Sequence, residues 1–230
     1  TPINDFIEVD EGKTSVVLKN GANNLLFNDY KLNTNLTPII VANPINGTVT
    51  LNSNGTFSYV HNGSETTKDS FTYKINDGTS DSDIATVSIT INPVNDSPLA
   101  VSDQLIVAEG GTSTTLVGGA TSILTNDTDA ENTTLTATLV DNVTNGTLTF
   151  NSNGTFTYVH NGSETTSDSF TYKANDGTSD SNVATVTITI TSVNDVPVAV
   201  ADSITVAEGG TVTTLTGGGT SVLSNDTDAD

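Results

Sequence analysis

The chain repeats itself with a period of 99 residues. The stretch 46–96 returns at 145–195 with about four positions in five unchanged, and the stretch 100–131 returns at 199–230. Self-similarity on this scale describes architecture before chemistry: each copy is one structural unit of a tandem array. The period suits one small domain per copy. The copies divide as 1–96, 97–195 and 196–230. The last piece is too short to bury a core, so it is expected to open a further unit of a longer protein. Every copy carries the same side chains in the same places, so a unique active site is not expected.

Within a copy, apolar residues alternate with polar ones at the period of a strand. In the second copy Leu105 and Val107 mark strand A. Strand B is expected within 114–124, interrupted at Gly118-Gly119. Leu135, Ala137 and Leu139 mark C, Leu148 and Phe150 mark D, and Phe156 and Tyr158 mark E. Phe170 and Tyr172 mark F, and Val186, Ile188 and Ile190 mark G. The first copy follows suit, with Ile7 and Val9, Phe57 and Tyr59, Phe71 and Tyr73, and Val87, Ile89 and Ile91. No segment has helical periodicity. Seven short strands joined by turns rich in Asn, Gly, Asp and Ser predict an all-β chain of immunoglobulin-like sandwiches. The Asn-Gly pairs fit hairpin turns, which need positive φ.

Such a sandwich sorts its loops onto two poles. The A–B and E–F loops and the exit of G share one end; the B–C, D–E and F–G loops share the other. In the second copy the first pole carries Glu109, Glu164, Asp168 and the linker Asn194-Asp195, and the other carries Asp127, Asp129 and Asp176. Head-to-tail stacking would bring carboxylates from unlike poles together. The net charge of −21, with 27 acidic residues against six lysines and no arginine, repels phosphate backbones and anionic lipid. Two readings of the charge are open. It keeps neighbours soluble and apart, or part of it converges on bound cations. Repeated acidic loops opposite acidic linkers favour the second, because packed carboxylates disfavour their own ionised forms. Calcium suits the donors on offer, six to eight hard oxygens from carboxylates, carbonyls and water. There is no cysteine, so neither disulfides nor thiolate sites arise. The two histidines, His61 and His160, end strand E and are expected as surface or edge residues.

Several chemistries find no support. The Asp127-x-Asp129-x-Glu131 run begins like an EF-hand but has Asn132 where glycine belongs. No base stands beside the many Ser and Thr hydroxyls. Gly217-Gly218-Gly219 lacks the lysine of a phosphate loop. No apolar run is long enough to cross a bilayer as a helix. An enzyme is not expected. Nearly all aromatic residues are expected to point inward from strands, with Tyr30 the exception.

The linkers VNDSP at 94–98 and VNDVP at 193–197 resemble the Asn-Asp-x-x-Pro linkers of cadherins, and NDTDA at 126–130 resembles their Asp-x-Asp calcium motif. The strings AEGGTVTTLTGGGTSVLSNDTDAD and DSFTYKANDGTSDS resemble the bacterial cadherin-like tandem repeats of giant surface adhesins, such as those of gliding bacteria. The resemblance spans nearly the whole chain. It implies cadherin-like sandwiches in an extended extracellular stalk on a bacterial surface, with calcium at the junctions. Position by position it implies Glu11, Glu65, Asp69, Asn95, Asp96, Asp127 and Asp129 as ligands at the first junction. At the second it implies Glu109, Glu164, Asp168, Asn194, Asp195, Asp226 and Asp228. The first copy departs from the pattern at 28–33, where Asp29 survives but Lys31 stands near the second acidic position. Neighbouring repeats are the implied partners. Surface glycans or a host or substratum are reached through the repeats or through other parts of the protein. An accessory role beside a polysaccharide-degrading domain remains a further alternative.

Overall fold

The computed structural model describes residues 2–29 and 36–230. Tyr30 and Lys31 lie outside the described residues. The chain forms two compact units, Thr1–Asp96 and Ser97–Asp230. In the first, the strands are β1 (Asp5–Asp10), β2 (Thr14–Ser15), β3 (Thr37–Ala42), β4 (Gly47–Leu51), β5 (Phe57–His61), β6 (Lys68–Asn76) and β7 (Ala85–Asn92). In the second they are β8 (Asp103–Ala108), β9 (Thr112–Ser113), β10 (Thr136–Asp141), β11 (Gly146–Phe150), β12 (Phe156–His160), β13 (Ser167–Asn175) and β14 (Ala184–Thr191).

Each unit is a sandwich of a four-stranded and a three-stranded sheet. The first unit has the orders β1-β7-β6-β3 and β2-β5-β4, and the second repeats them as β8-β14-β13-β10 and β9-β12-β11. Neighbours pair antiparallel except the first and last strands. These run parallel over six residue pairs, from Asp5↔Val87 to Asp10↔Asn92 and from Asp103↔Val186 to Ala108↔Thr191. A register shift at Ile40/Ala42, and at Leu139/Asp141, bends the edge strand of each larger sheet.

Alternation decides which side chains meet. On β6 every second residue, Phe71, Tyr73 and Ile75, is buried, and on β7 Ala85, Val87, Ile89 and Ile91 are. With Ile7, Val9, Phe57 and Tyr59 they fill the space between the sheets. Each fully buried Val, Ile, Leu or Phe contributes about 1.5–3 kcal/mol relative to exposure. The second unit packs the matching set, from Leu105 to Ile190.

Strand B is shorter than its sequence suggests. β9 ends at Ser113, and the chain then turns through Gly118 (φ 97°) and Gly119 (φ 90°). Two successive left-handed residues cannot extend a strand. One 3₁₀ turn follows in each unit, Leu25–Phe27 and Ile123–Thr125, seating Leu25 and Ile123 in the core. The side chains of Asn24 and Ser122 cap these turns by accepting the N–H of Leu26 and Leu124. Two further corrections concern polar and aromatic residues. His61 and His160 are buried, each about 3% exposed, whereas Phe6 and Phe27 are exposed at 58% and 67%. Residues 196–230 form no strand; Val198 and Thr227 exchange backbone hydrogen bonds, and Thr216 N–H donates to Ser203 O at 2.8 Å.

Candidate metal centre

The site forms where β1 ends, β5 turns towards β6, and β7 leaves the sandwich. Glu11 extends the parallel ladder by one residue, its N–H donating to Asn92 O at 2.9 Å. The chain then reverses at Gly12 (φ 64°), a conformation that favours glycine. His61 ties this turn to the loop after β5. Its Nδ1 accepts N–H bonds from Gly12 at 3.1 Å and Gly63 at 3.3 Å, and its Nε2 meets Thr66 Oγ1 at 3.1 Å. A neutral ring accepting at Nδ1 carries its proton on Nε2, so the contact to Thr66 is a donation. The exit of β7 is held by Val94 N–H, which donates to Glu11 Oε2 at 3.4 Å, and Asn95 Nδ2 donates to Asp96 O at 2.8 Å.

These ties bring Glu11, Glu65 and Asp96 together, with one carboxylate oxygen from each lying within 4.8 Å of the others. Glu65 and Asp96 are exposed, but Glu11 is only 7% exposed. Its Oε1 is buried and receives no hydrogen bond. An ionised oxygen out of water with no donor is costly, and two more carboxylates nearby add repulsion.

The second unit rebuilds the site. Glu109 N–H donates to Thr191 O at 2.9 Å, and Val193 N–H donates to Glu109 Oε2 at 3.3 Å. His160 accepts from Gly110 at 3.0 Å and Gly162 at 3.3 Å and meets Thr165 Oγ1 at 3.0 Å. Glu109, Glu164 and Asp195 form the matching group. Asn194 Nδ2 donates to Asp195 O, and Asp195 N–H donates to Asp230 Oδ2. Partial desolvation, the adjoining Glu109 carboxyl and the charges of Asp230 and Asp195 push Glu164 up to about 7.

The other residues implied as ligands are held within their own units. Asp69 and Asp168 hold the turn before β4 and β11. Asp168 accepts N–H bonds from Thr144, Asn145 and Ser169 at 2.8–3.0 Å and the Tyr158 hydroxyl at 3.0 Å. Asp69 does the same for Ile45, Asn46, Ser70 and Tyr59. Burial alone would raise the Asp168 pKa, but these donors outweigh it and hold the carboxyl below its ordinary range. Asp127 belongs to the second unit, at the pole opposite Glu109. It accepts Val101 N–H at 2.7 Å and faces the Tyr172 hydroxyl. Asp129 Oδ2 accepts from the backbone and hydroxyl of Thr133, while its Oδ1 is buried without a hydrogen bond. Asp226 accepts Val200 N–H at 2.8 Å, and Asp228 follows Thr227, whose backbone pairs with Val198.

Two features escaped the sequence reading. Period-2 spacing from Phe57 and Tyr59 places His61 on the inward face, the signal that reveals the loop tie. The same spacing turns Asp5 inward beside Ile7. At the far pole Tyr73 donates within a group formed by Asp5 and Asp29, and Tyr172 within one formed by Asp103 and Asp127. Burial is the main cause that pushes Asp5 and Asp103 up to about 6. The neighbouring Asp29 or Asp127 adds to it, and the tyrosine opposes it.

The fold and the repeated acidic group define the class: tandem sandwiches of cadherin type. The model of the bacterial cadherin-like domain matches residues 3–93 and again 95–192. The chain therefore belongs to the bacterial cadherin-like domain family. Solved structures share the fold. The human CDH23 fragment EC21-23 is 21% identical, covering 100% of this chain and 78% of that one, with a TM-score of 0.59. Mouse cadherin-23 EC22-24 is 22% identical over 84% of this chain and 66% of that one, at 0.50. Protocadherin gamma B7 extracellular cadherin domains 1-4 are 14% identical over 93% and 57%, at 0.51. No curated protein matches the chain in sequence. Cadherin-like domains generally bind calcium. The donors here are hard oxygens, and both imidazoles are already engaged, which suits calcium and not zinc. Among the described residues, no helix is long and apolar enough to cross a membrane.

Proposed function

We propose that this chain is a non-catalytic spacer segment of a bacterial cell-surface adhesin, stiffened by calcium at the outgoing end of each unit. Glu11, Glu65 and Asp96 hold the ion in the first unit, and Glu109, Glu164 and Asp195 hold it in the second. Asn95 and Asn194 add amide oxygens. The ion gives the buried Glu11 oxygen the partner it lacks and fastens the departing linker to two loops of its own unit. Movement where one unit passes to the next is thereby restricted. The adhesive contact itself is made elsewhere in the array or the parent protein.

One observation carries this reading. Glu11 is buried, one of its oxygens has no hydrogen bond, and its carboxylate adjoins two others. A group held that way gains from a cation. Small-angle scattering in calcium and in chelator tests the reading. The distribution of end-to-end dimensions should be narrow in calcium and broad in chelator. Identical profiles would remove the bracing role.

A further inference from the structure

We infer that the first unit alone carries a shallow pocket for a single neutral sugar ring, built by Asn4, Phe6, Lys19, Asn20 and Asn28 around Asp5. These side chains line a depression of about 300 Å³ beside the start of β1. That volume lies at the small end for ligand sites, with room for one ring. The pocket stands at the pole opposite Glu11, six residues away along β1, or about 20 Å.

The copies differ where the pocket is made. Phe6, Lys19 and Asn20 become Gln104, Val117 and Gly118 in the second copy and Ser203, Thr216 and Gly217 in the third. Asn4 becomes Ser102 and Ala201. The positions that build the fold do not change in kind: Asp5, Leu18 and Asn28 correspond to Asp103, Leu116 and Asn126. The first copy departs from the second at many positions before residue 45, and the lining of this pocket is among them. Phe27, next to Asn28, follows the same pattern, with Thr125 as its counterpart. Phe6 and Phe27 are thus large exposed aromatic rings in one unit where the other unit has small or polar residues.

The chemistry suits a hydroxylated ring. Asn28 donates to the Asp5 carboxylate, which fixes its amide and turns Oδ1 away. That oxygen is buried without a donor, whereas its counterpart Asn126 is exposed. Asn4 and Asn20 use their carbonyl oxygens for the backbone N–H of Thr86 and Ala22. What they offer a ligand is therefore their NH₂ groups, as donors. Phe6 supplies an apolar surface for the carbon face of the ring. Lys19 is neutralised by Glu8 at 3.0 Å, and the acidic surroundings disfavour anionic sugars.

The test uses the full chain and a panel of methyl glycosides of neutral hexoses and deoxyhexoses, followed by chemical-shift titration. Saturable shifts are expected for at least one member. The triple variant Phe6→Gln/Lys19→Val/Asn20→Gly carries the second copy's residues. It should keep its melting temperature and lose binding by tenfold or more. Retention on immobilised glycans should be blocked by the same free glycoside and should persist in chelator and in Glu11→Gln, which separates this site from the calcium reading. Four results would each overturn the inference. These are no saturable shift with any glycoside, binding unchanged in the triple variant, preference for uronate or sulfated sugars, and competition only by longer oligosaccharides.

Discussion

Replacing Glu11 by Gln separates a metal ligand from a structural carboxylate. Gln fits the same space and can still accept Val94 N–H. In place of the second oxygen it puts an NH₂ group, on a residue grouped with Glu65 and Asp96. Without metal, that change removes a buried charge and supplies a donor to its neighbours, so the variant in chelator should melt at or above the wild type. With metal the order reverses. Calcium at a hundred times its dissociation constant adds about 2.7 kcal/mol to a protein that binds it only when folded. For a unit of this size each kcal/mol moves the midpoint by about 4–8 °C, so the wild-type calcium shift is about 10–20 °C. Glu11→Gln should retain less than a third of it. Scanning calorimetry of the chain, with and without calcium, measures the shift. Glu109→Gln serves as the counterpart, acting on the transition of the second unit and leaving the first. A full calcium shift in Glu11→Gln would refute the assignment. So would a chelated variant that melts well below the wild type, because Glu11 would then serve packing alone.

Two more expectations concern buried carboxylates outside the centre. Asp5 is raised to about 6, so between pH 4 and 6 the folded chain binds more protons than the unfolded one. Stability from this group is therefore full below about pH 4 and falls as pH rises through 6, by at most about 3 kcal/mol. Urea midpoints in chelator should follow that slope, and Asp5→Asn should flatten it; a pH-independent offset between the two proteins would contradict the reasoning. Asp168→Ala strips an acceptor from three backbone N–H groups and the buried Tyr158 hydroxyl, at a cost of about 3 kcal/mol in urea unfolding. A loss below about 1 kcal/mol would show that water replaces the carboxylate.

Much of the sandwich can be read from alternation because one face of each strand is buried. Phe71, Tyr73, Val87 and Ile89 lie inward as their spacing predicts. Strand B was obscured because Thr114 to Leu124 has strand-forming residues, yet Gly118 and Gly119 take left-handed backbone angles. The family resemblance implies Asp69 and Asp168 as ligands, and acidic loop residues do not announce their partners. In the structure the backbone of a neighbouring turn claims them. Glu11, by contrast, is identified by its missing hydrogen bond, a property no residue type encodes. Phe6 was misplaced because aromatic residues in strands usually face the core. Its own neighbours, Asp5 and Ile7, already occupied that side.

The parallel pairing of first and last strands has a mechanical consequence. The chain enters along β1 and leaves along β7, and the two lie side by side over six residue pairs. Tension applied between the ends of a unit slides these strands along their shared axis. The bonds joining them then carry the load together and must rupture as a group, unlike a hairpin that opens one rung at a time.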